Sequence, residues 1–295
     1  MPAHAVAFFA MVALLLVVDL GLLQRSGRPV SLRIAWGWTA FLVVLAAGYA
    51  LWLGRAMGRQ TGIEFATGYL IESSLSVDNL FVFLILFRAL RLDGEQQRRV
   101  LLWGVLGAIV LRGALILAGT TLLARFTWVQ YAFGALLALA AARLLLVKPG
   151  VAPVSSPMRW IQTCCLRYAG NTRLAVSSLL LIIAAIEATD LIFALDSIPA
   201  VLAVTRNAWI AFASNIFAVL GLRSLYFVLG GLLDRFRLLH YALACILAFV
   251  AFKMLAARWI AIPTTWSLAF ILVILAFFAA LSWALASRNL PARQT

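Results

Sequence analysis

Apolar residues come in long blocks along this chain, and short stretches rich in arginine separate them. The blocks run for about 20 residues, the length an α-helix needs to cross the hydrocarbon core of a bilayer. A membrane β-barrel would read instead as shorter alternating segments. Nine spans are predicted, over 4–23, 34–54, 63–90, 100–123, 126–147, 174–204, 208–231, 239–258 and 266–286. The first is not read as a cleaved leader, because it lacks a basic start and carries Asp19 where a cleavage region would fall. Trp36, Trp128, Trp209, Trp259 and Trp266 lie near span ends, where interfacial anchors sit. The expected fold class is all-α, a polytopic membrane helix bundle of about nine spans, with 1–295 as a single transmembrane domain.

Composition reinforces that reading. An apolar fraction of 65%, a charged fraction of 12% and a mean hydropathy of +1.05 exclude an ordinary soluble domain. The net charge of +14 would suggest nucleic acid, but the basic residues are scattered through short loops rather than gathered on one polar face. They read as orientation signals. Sixteen of the 24 fall in the loops after spans 1, 3, 5 and 7 and in the C-terminal tail, against five on the other side. The positive-inside rule then puts the N-terminus outside and the C-terminus in the cytoplasm of a cell (inner) membrane. The longest loop, 148–173, becomes cytosolic, so Cys164 and Cys165 sit on the reducing side and are not expected to form a structural disulfide. His4 and His240 lie far apart in sequence and suggest no zinc site.

The acids are what the bilayer does not explain. The chain has only ten, yet span 3 carries Glu72 and Asp78, and span 6 carries Glu187, Asp190 and Asp196. Aligning "IESSLSVDN" with "TDLIFALDS" sets Glu72 on Asp190 and Asp78 on Asp196. The following spans agree in order, with Leu-Arg-small steps at Arg112 and Arg223 and basic residues at Arg143 and Lys253. Spans 3–5 and 6–8 therefore read as two three-helix repeats, 63–147 and 174–258, with spans 1 and 2 peripheral and 266–286 as a last span. An odd number of helices per repeat makes the second copy enter inverted. That is the plan of secondary transporters whose substrate sites lie near the midplane.

A carboxylate at the bilayer centre costs about 2.5–3.5 kcal/mol on insertion scales. Arg112 and Arg223 can pair two of the five, holding them in place or filling an empty site as internal counter-ions. Three remain for a cation or for protons. Asp190 and Asp196 are six residues apart, roughly 9 Å along an unbroken helix, so sharing one ion would need an interruption. Pro199 supplies a candidate, since it has no N–H to give the Leu195 carbonyl. Asn79, Ser197, Ser214 and Asn215 add neutral oxygens, although Asn79 and Asn215 read equally well as interhelical hydrogen-bonding groups. Carboxylate, amide and carbonyl oxygens without Cys or His favour a hard divalent cation, Mn²⁺, Mg²⁺ or Ca²⁺.

The stretches "GYLIESSLSVDNLFVF", "RVLLWGVLGAIVLRG", "ATDLIFALDSIPAVLAVTRN" and "SNIFAVLGLRSLYFVL" resemble the TerC/Alx family of integral membrane proteins over roughly 8–258. Ser73 and Ser74 depart from the family, which often has a basic or bulkier residue there. The resemblance implies manganese export, a distant kinship with the lysine-exporter superfamily, and Glu72, Asp78, Asp190 and Asp196 as cation ligands with Glu187 beside them. It also carries the family's association with tellurium resistance, which an acid-lined site would serve only indirectly. The expected function is a secondary transporter exporting Mn²⁺, with proton exchange a natural companion because clustered carboxylates couple their titrations. The alternatives are Ca²⁺ or Mg²⁺ transport, or a membrane scaffold that assists exported or membrane proteins. No fixed cofactor and no enzymatic chemistry are expected. The expected partners are the divalent ion and the lipid bilayer, not nucleic acid, and a homo-oligomer is left open.

Overall fold

A computed structural model describes residues 2–23, 32–89, 94–146, 175–229, 238–260 and 262–288. Among them nine helices and no strands occur: α1 (Pro2–Leu23), α2 (Leu32–Ala56), α3 (Arg59–Ala89), α4 (Gly94–Arg125), α5 (Thr127–Leu146), α6 (Ala175–Leu202), α7 (Ala208–Leu229), α8 (Leu239–Leu255) and α9 (Thr264–Arg288). Each overlaps one predicted span. Within the described residues, α2, α4, α5 and α9 contain segments long and apolar enough to cross a membrane, and α1, α7 and α8 contain shorter apolar ones.

Local signals explain where several helices begin. Pro2 opens α1 and Pro263 immediately precedes α9, positions where a missing N–H costs nothing to the helical ladder. Asn207 caps α7, its Oδ1 accepting from the N–H groups of Trp209 (3.0 Å) and Ile210 (3.4 Å). Between α2 and α3 the chain reverses at Gly58, whose φ of +102° would strain any residue with a Cβ. Gly62 then lets the two backbones close up, since a Cβ there would stand 2.5 Å from the Ala50 carbonyl oxygen.

Among the described residues the interior divides into three apolar clusters. Leu137, Ile198, Leu247 and Val250 join α5, α6 and α8, while Leu80, Val105, Ile186 and Leu222 join α3, α4, α6 and α7. The third is aromatic at its centre, where Phe8, Tyr49, Phe65 and Phe217 bring together α1, α2, α3 and α7. Outside these, large apolar side chains such as Val44, Val110, Leu117 and Val273 stay exposed, as they do on a surface that meets lipid rather than water.

The packing has a regular pattern. α3 lies along α7 and α4 along α6, while α3 also meets α6, α4 meets α7, and α5 meets α8. Exchanging α3 with α6, α4 with α7 and α5 with α8 maps this set onto itself, and it likewise relates the lesser α5–α6 and α3–α8 contacts.

Candidate functional site

Among the described residues, Arg112 is the largest side chain with no exposed surface, and it lies where α3, α4 and α6 meet. Its Nε donates to Asp190 Oδ2 at 2.9 Å and its Nη2 to Asp190 Oδ1 at 2.7 Å, a two-point clamp on one carboxylate. Its Nη1 donates to Glu72 Oε1. Glu72 is fully buried and Asp190 nearly so. The two positions paired by the sequence alignment are thus the two carboxylates held by one guanidinium.

The clamp leaves hydrogen-bonding capacity unused. Among the described residues, Glu72 Oε2 and Glu187 Oε1 are buried without a partner, as are both polar atoms of Asn215 and the hydroxyls of Ser76 and Ser197. Glu187 stands three residues before Asp190, within electrostatic reach of both Asp190 and Arg112. Its carboxylate packs over Gly107 of α4, where a Cβ would collide with it. Buried polar atoms are nearly always paired, so several unpaired ones near the same helices call for a ligand, water or rearrangement.

Other predicted residues stand apart. Asp196 is half-buried farther along α6, and the cation that acts on it is Arg143 of α5. Ser214 satisfies itself by donating to the Ala211 carbonyl at 3.1 Å. The side chains of Asp78, Asn79 and Arg223, and all of Cys164 and Cys165, lie outside the described residues. Among the described residues, no three Asp, Glu, His or Cys side chains form a ready metal centre. The expected interruption at Pro199 does not occur: α6 runs through the proline to Leu202. Proline withdraws one bond, that to the Leu195 carbonyl, and helical bonding continues beyond it, with the Ala203 N–H donating to the Pro199 carbonyl at 2.9 Å.

A second polar group was not anticipated. Glu64, eight residues before Glu72 on α3, accepts from Thr205 Oγ1 at 2.7 Å and from Gln60 Nε2 at 3.1 Å. Gln60 also donates to Thr264 Oγ1 at 3.1 Å, tying the start of α3 to the α6–α7 connection and to α9. The signal was available, since Glu64 is a further acid two turns from Glu72, but it sits near a helix end and does not stand out as an intramembrane charge.

Comparison with known proteins agrees with the all-helical, membrane-suited architecture. The chain is 41% identical over 290 residues to a Salmonella typhi protein named "Putative membrane-bound redox modulator Alx", covering 91% of this chain and 90% of that one. The Escherichia coli K12 protein of the same name is 39% identical over 289 residues, with coverages of 91% and 90%. An uncharacterized membrane protein of Myxococcus xanthus, STKORF319, is 39% identical over 282 residues, covering 92% and 88%. No solved structure matches. Residues 57–290 match the family described as "Integral membrane protein TerC family", and with that match and these relatives the chain belongs to the TerC family of integral membrane proteins.

Proposed function

We propose that this membrane protein is a secondary transporter that exports a divalent cation, Mn²⁺ in the first instance, from the cytoplasm. The observation that carries the reading is the Arg112 cluster. Among the described residues one guanidinium holds two carboxylates, Glu72 and Asp190, a third, Glu187, lies within its electrostatic reach, and Glu72 and Glu187 each keep a buried oxygen unpaired. With all three ionised the cluster carries two net negative charges, a complement to one divalent ion. Its donors are oxygens, which suit a hard cation. The substrate set would be completed by Asp78, Asp196, Asn79 and Asn215, with Arg223 as a second internal cation.

Arg112 gives the cycle its logic. It already occupies Glu72 and Asp190, so an arriving ion must displace it from at least one of them. The guanidinium compensates the acids when no ion is bound, because uncompensated charges cannot rest cheaply away from water. The exchangeable packing of α3–α5 with α6–α8 supports two inverted repeats, 63–147 and 174–258, moving against one another. The excess of basic residues in alternate loops supports an external N-terminus and a cytoplasmic C-terminus.

The test is ⁵⁴Mn²⁺ movement in proteoliposomes containing the purified chain, with unlabelled Mn²⁺, Ca²⁺ or Mg²⁺ as competitors. Asp190→Asn should reduce transport by at least about tenfold, since a charged ligand and the arginine clamp are both weakened. Transport unchanged in Asp190→Asn at equal protein incorporation would overturn the reading and favour a scaffold role. Preferential competition by Ca²⁺ or Mg²⁺ would keep the transporter and change its substrate.

A further inference from the structure

The basic residues that line a cavity away from the Arg112 cluster are unexplained by cation export. A cavity of about 300 Å³ lies where the ends of α4, α6 and α8 approach the starts of α5 and α9. Arg206, Lys253, Gln130 and Thr264 supply its polar wall, and Leu202 and Met254 belong to its apolar one. Neither cation forms an ion pair with a described carboxylate. Lys253 Nζ donates to Ser267 Oγ at 3.0 Å, and Arg206 Nη2 donates to Gln130 Oε1. Glu64 is the acid that acts on Lys253, but it does not line the cavity, and its two oxygens accept from Thr205 and Gln60.

A purely structural account covers one of the two charges. Lys253 is in the last turn of α8, where the helix dipole favours a cation. That does not explain why Arg206, from the α6–α7 connection, reaches the same cavity. One acid, Glu64, stands against two cations, so the cavity wall keeps a net positive charge that suits an anion, and a cation's exit route would not be lined this way.

The depth of the cavity identifies the anion. Trp128, Trp259 and Trp266 are 65%, 77% and 71% exposed and lie at the start of α5, just beyond the end of α8 and at the start of α9. Exposed tryptophans at helix ends mark the headgroup level of a bilayer. A cavity at that level with a basic wall and an apolar wall has the chemistry of an anionic phospholipid. We propose that it holds a phospholipid headgroup phosphate between Arg206 and Lys253, with the adjoining carbons against Leu202 and Met254. The planar guanidinium can engage two phosphate oxygens, and the ammonium acts as a point charge opposite. This site is independent of metal export and does not stand or fall with it.

Native mass spectrometry of the detergent-purified full chain tests it, using phosphatidylglycerol, phosphatidylethanolamine and inorganic phosphate as probes. One phosphatidylglycerol should be retained with about tenfold preference over phosphatidylethanolamine, the equivalent of one charge-assisted contact. Arg206→Gln combined with Lys253→Gln should abolish the preference, while Lys253→Arg should keep it. Arg206→Gln alone, at an exposed position, should lower the preference severalfold and serves if the double variant does not fold. Equal retention of both lipids, or a preference that survives either Gln variant, would overturn the site. Displacement of the lipid by millimolar inorganic phosphate would overturn the lipid assignment in favour of a free anion.

Discussion

Replacing Arg112 with glutamine removes the only described cation of the central cluster while leaving its acids in place. Three N–H donors are lost: the two on Asp190, at 2.9 and 2.7 Å, and the one on Glu72. Arg112 and Glu72 are completely buried, so no bulk solvent screens the acids left behind. Removing one partner from a buried ion pair costs about 3–5 kcal/mol, and protonation of the abandoned acids limits the loss to that range. Adding Asp190→Asn to the same variant should recover part of the loss, because it removes one of the stranded charges. Mn²⁺ should also rescue Arg112→Gln: a ligand at a hundredfold its Kd stabilises by about 2.7 kcal/mol. The wild type should gain less, since its ion must first displace the guanidinium. Unfolding in detergent, with and without Mn²⁺, measures all four quantities. Stability of Arg112→Gln within about 0.5 kcal/mol of wild type would refute the energetic argument. Equal Mn²⁺ stabilisation of the two proteins would refute the competition between arginine and ion.

Two glycines separate packing from function. Gly62→Ala places a methyl group 2.5 Å from the Ala50 carbonyl oxygen, and backbone cannot swing aside, so a loss of about 1–3 kcal/mol is expected in the same unfolding assay. Gly107→Ala meets the end of a flexible side chain instead, the Glu187 carboxylate, and should cost less than about 1 kcal/mol. Because Glu187 must move, Mn²⁺ transport in proteoliposomes should nevertheless fall severalfold; unchanged transport would remove Glu187 from the proposed site.

Helix positions were legible because block length and loop chemistry are set by single helices. Partner choice was not, because nearly every helix is apolar on all sides and one greasy face resembles another. The acids could be picked out by their rarity, and the pairing of Glu72 with Asp190 followed from a shared spacing. That one arginine, Arg112, holds both could not be read from spacing, since it depends on α4 crossing α3 and α6 at the same level. Pro199 was misread for a different reason. A proline withdraws a single N–H from the ladder, and a helix bonded on both sides of that gap runs on through it, as α6 does to Leu202. The Glu64 network was missed because its partners, Thr205, Gln60 and Thr264, are common polar residues that become informative only when three separate segments meet.

The incompleteness of the Arg112 clamp separates a structural role from a functional one. If the arginine served only to let α3, α4 and α6 pack, one acid per guanidinium would suffice, and each carboxylate oxygen would be paired. Instead, among the described residues, Glu72 offers one oxygen to Arg112 and keeps another buried and unpaired, and Glu187 brings a further unpaired oxygen to α6 beside Asp190. An apolar trio of similar volume would hold three helices together at least as well, because desolvating charges offsets much of their attraction. Retaining three acids against one described base therefore makes sense where the compensation changes during a cycle. On the proposed reading, the guanidinium neutralises the acids in one state and the exported cation does so in the other. Neither state then leaves the full negative charge exposed to the low dielectric of the bundle.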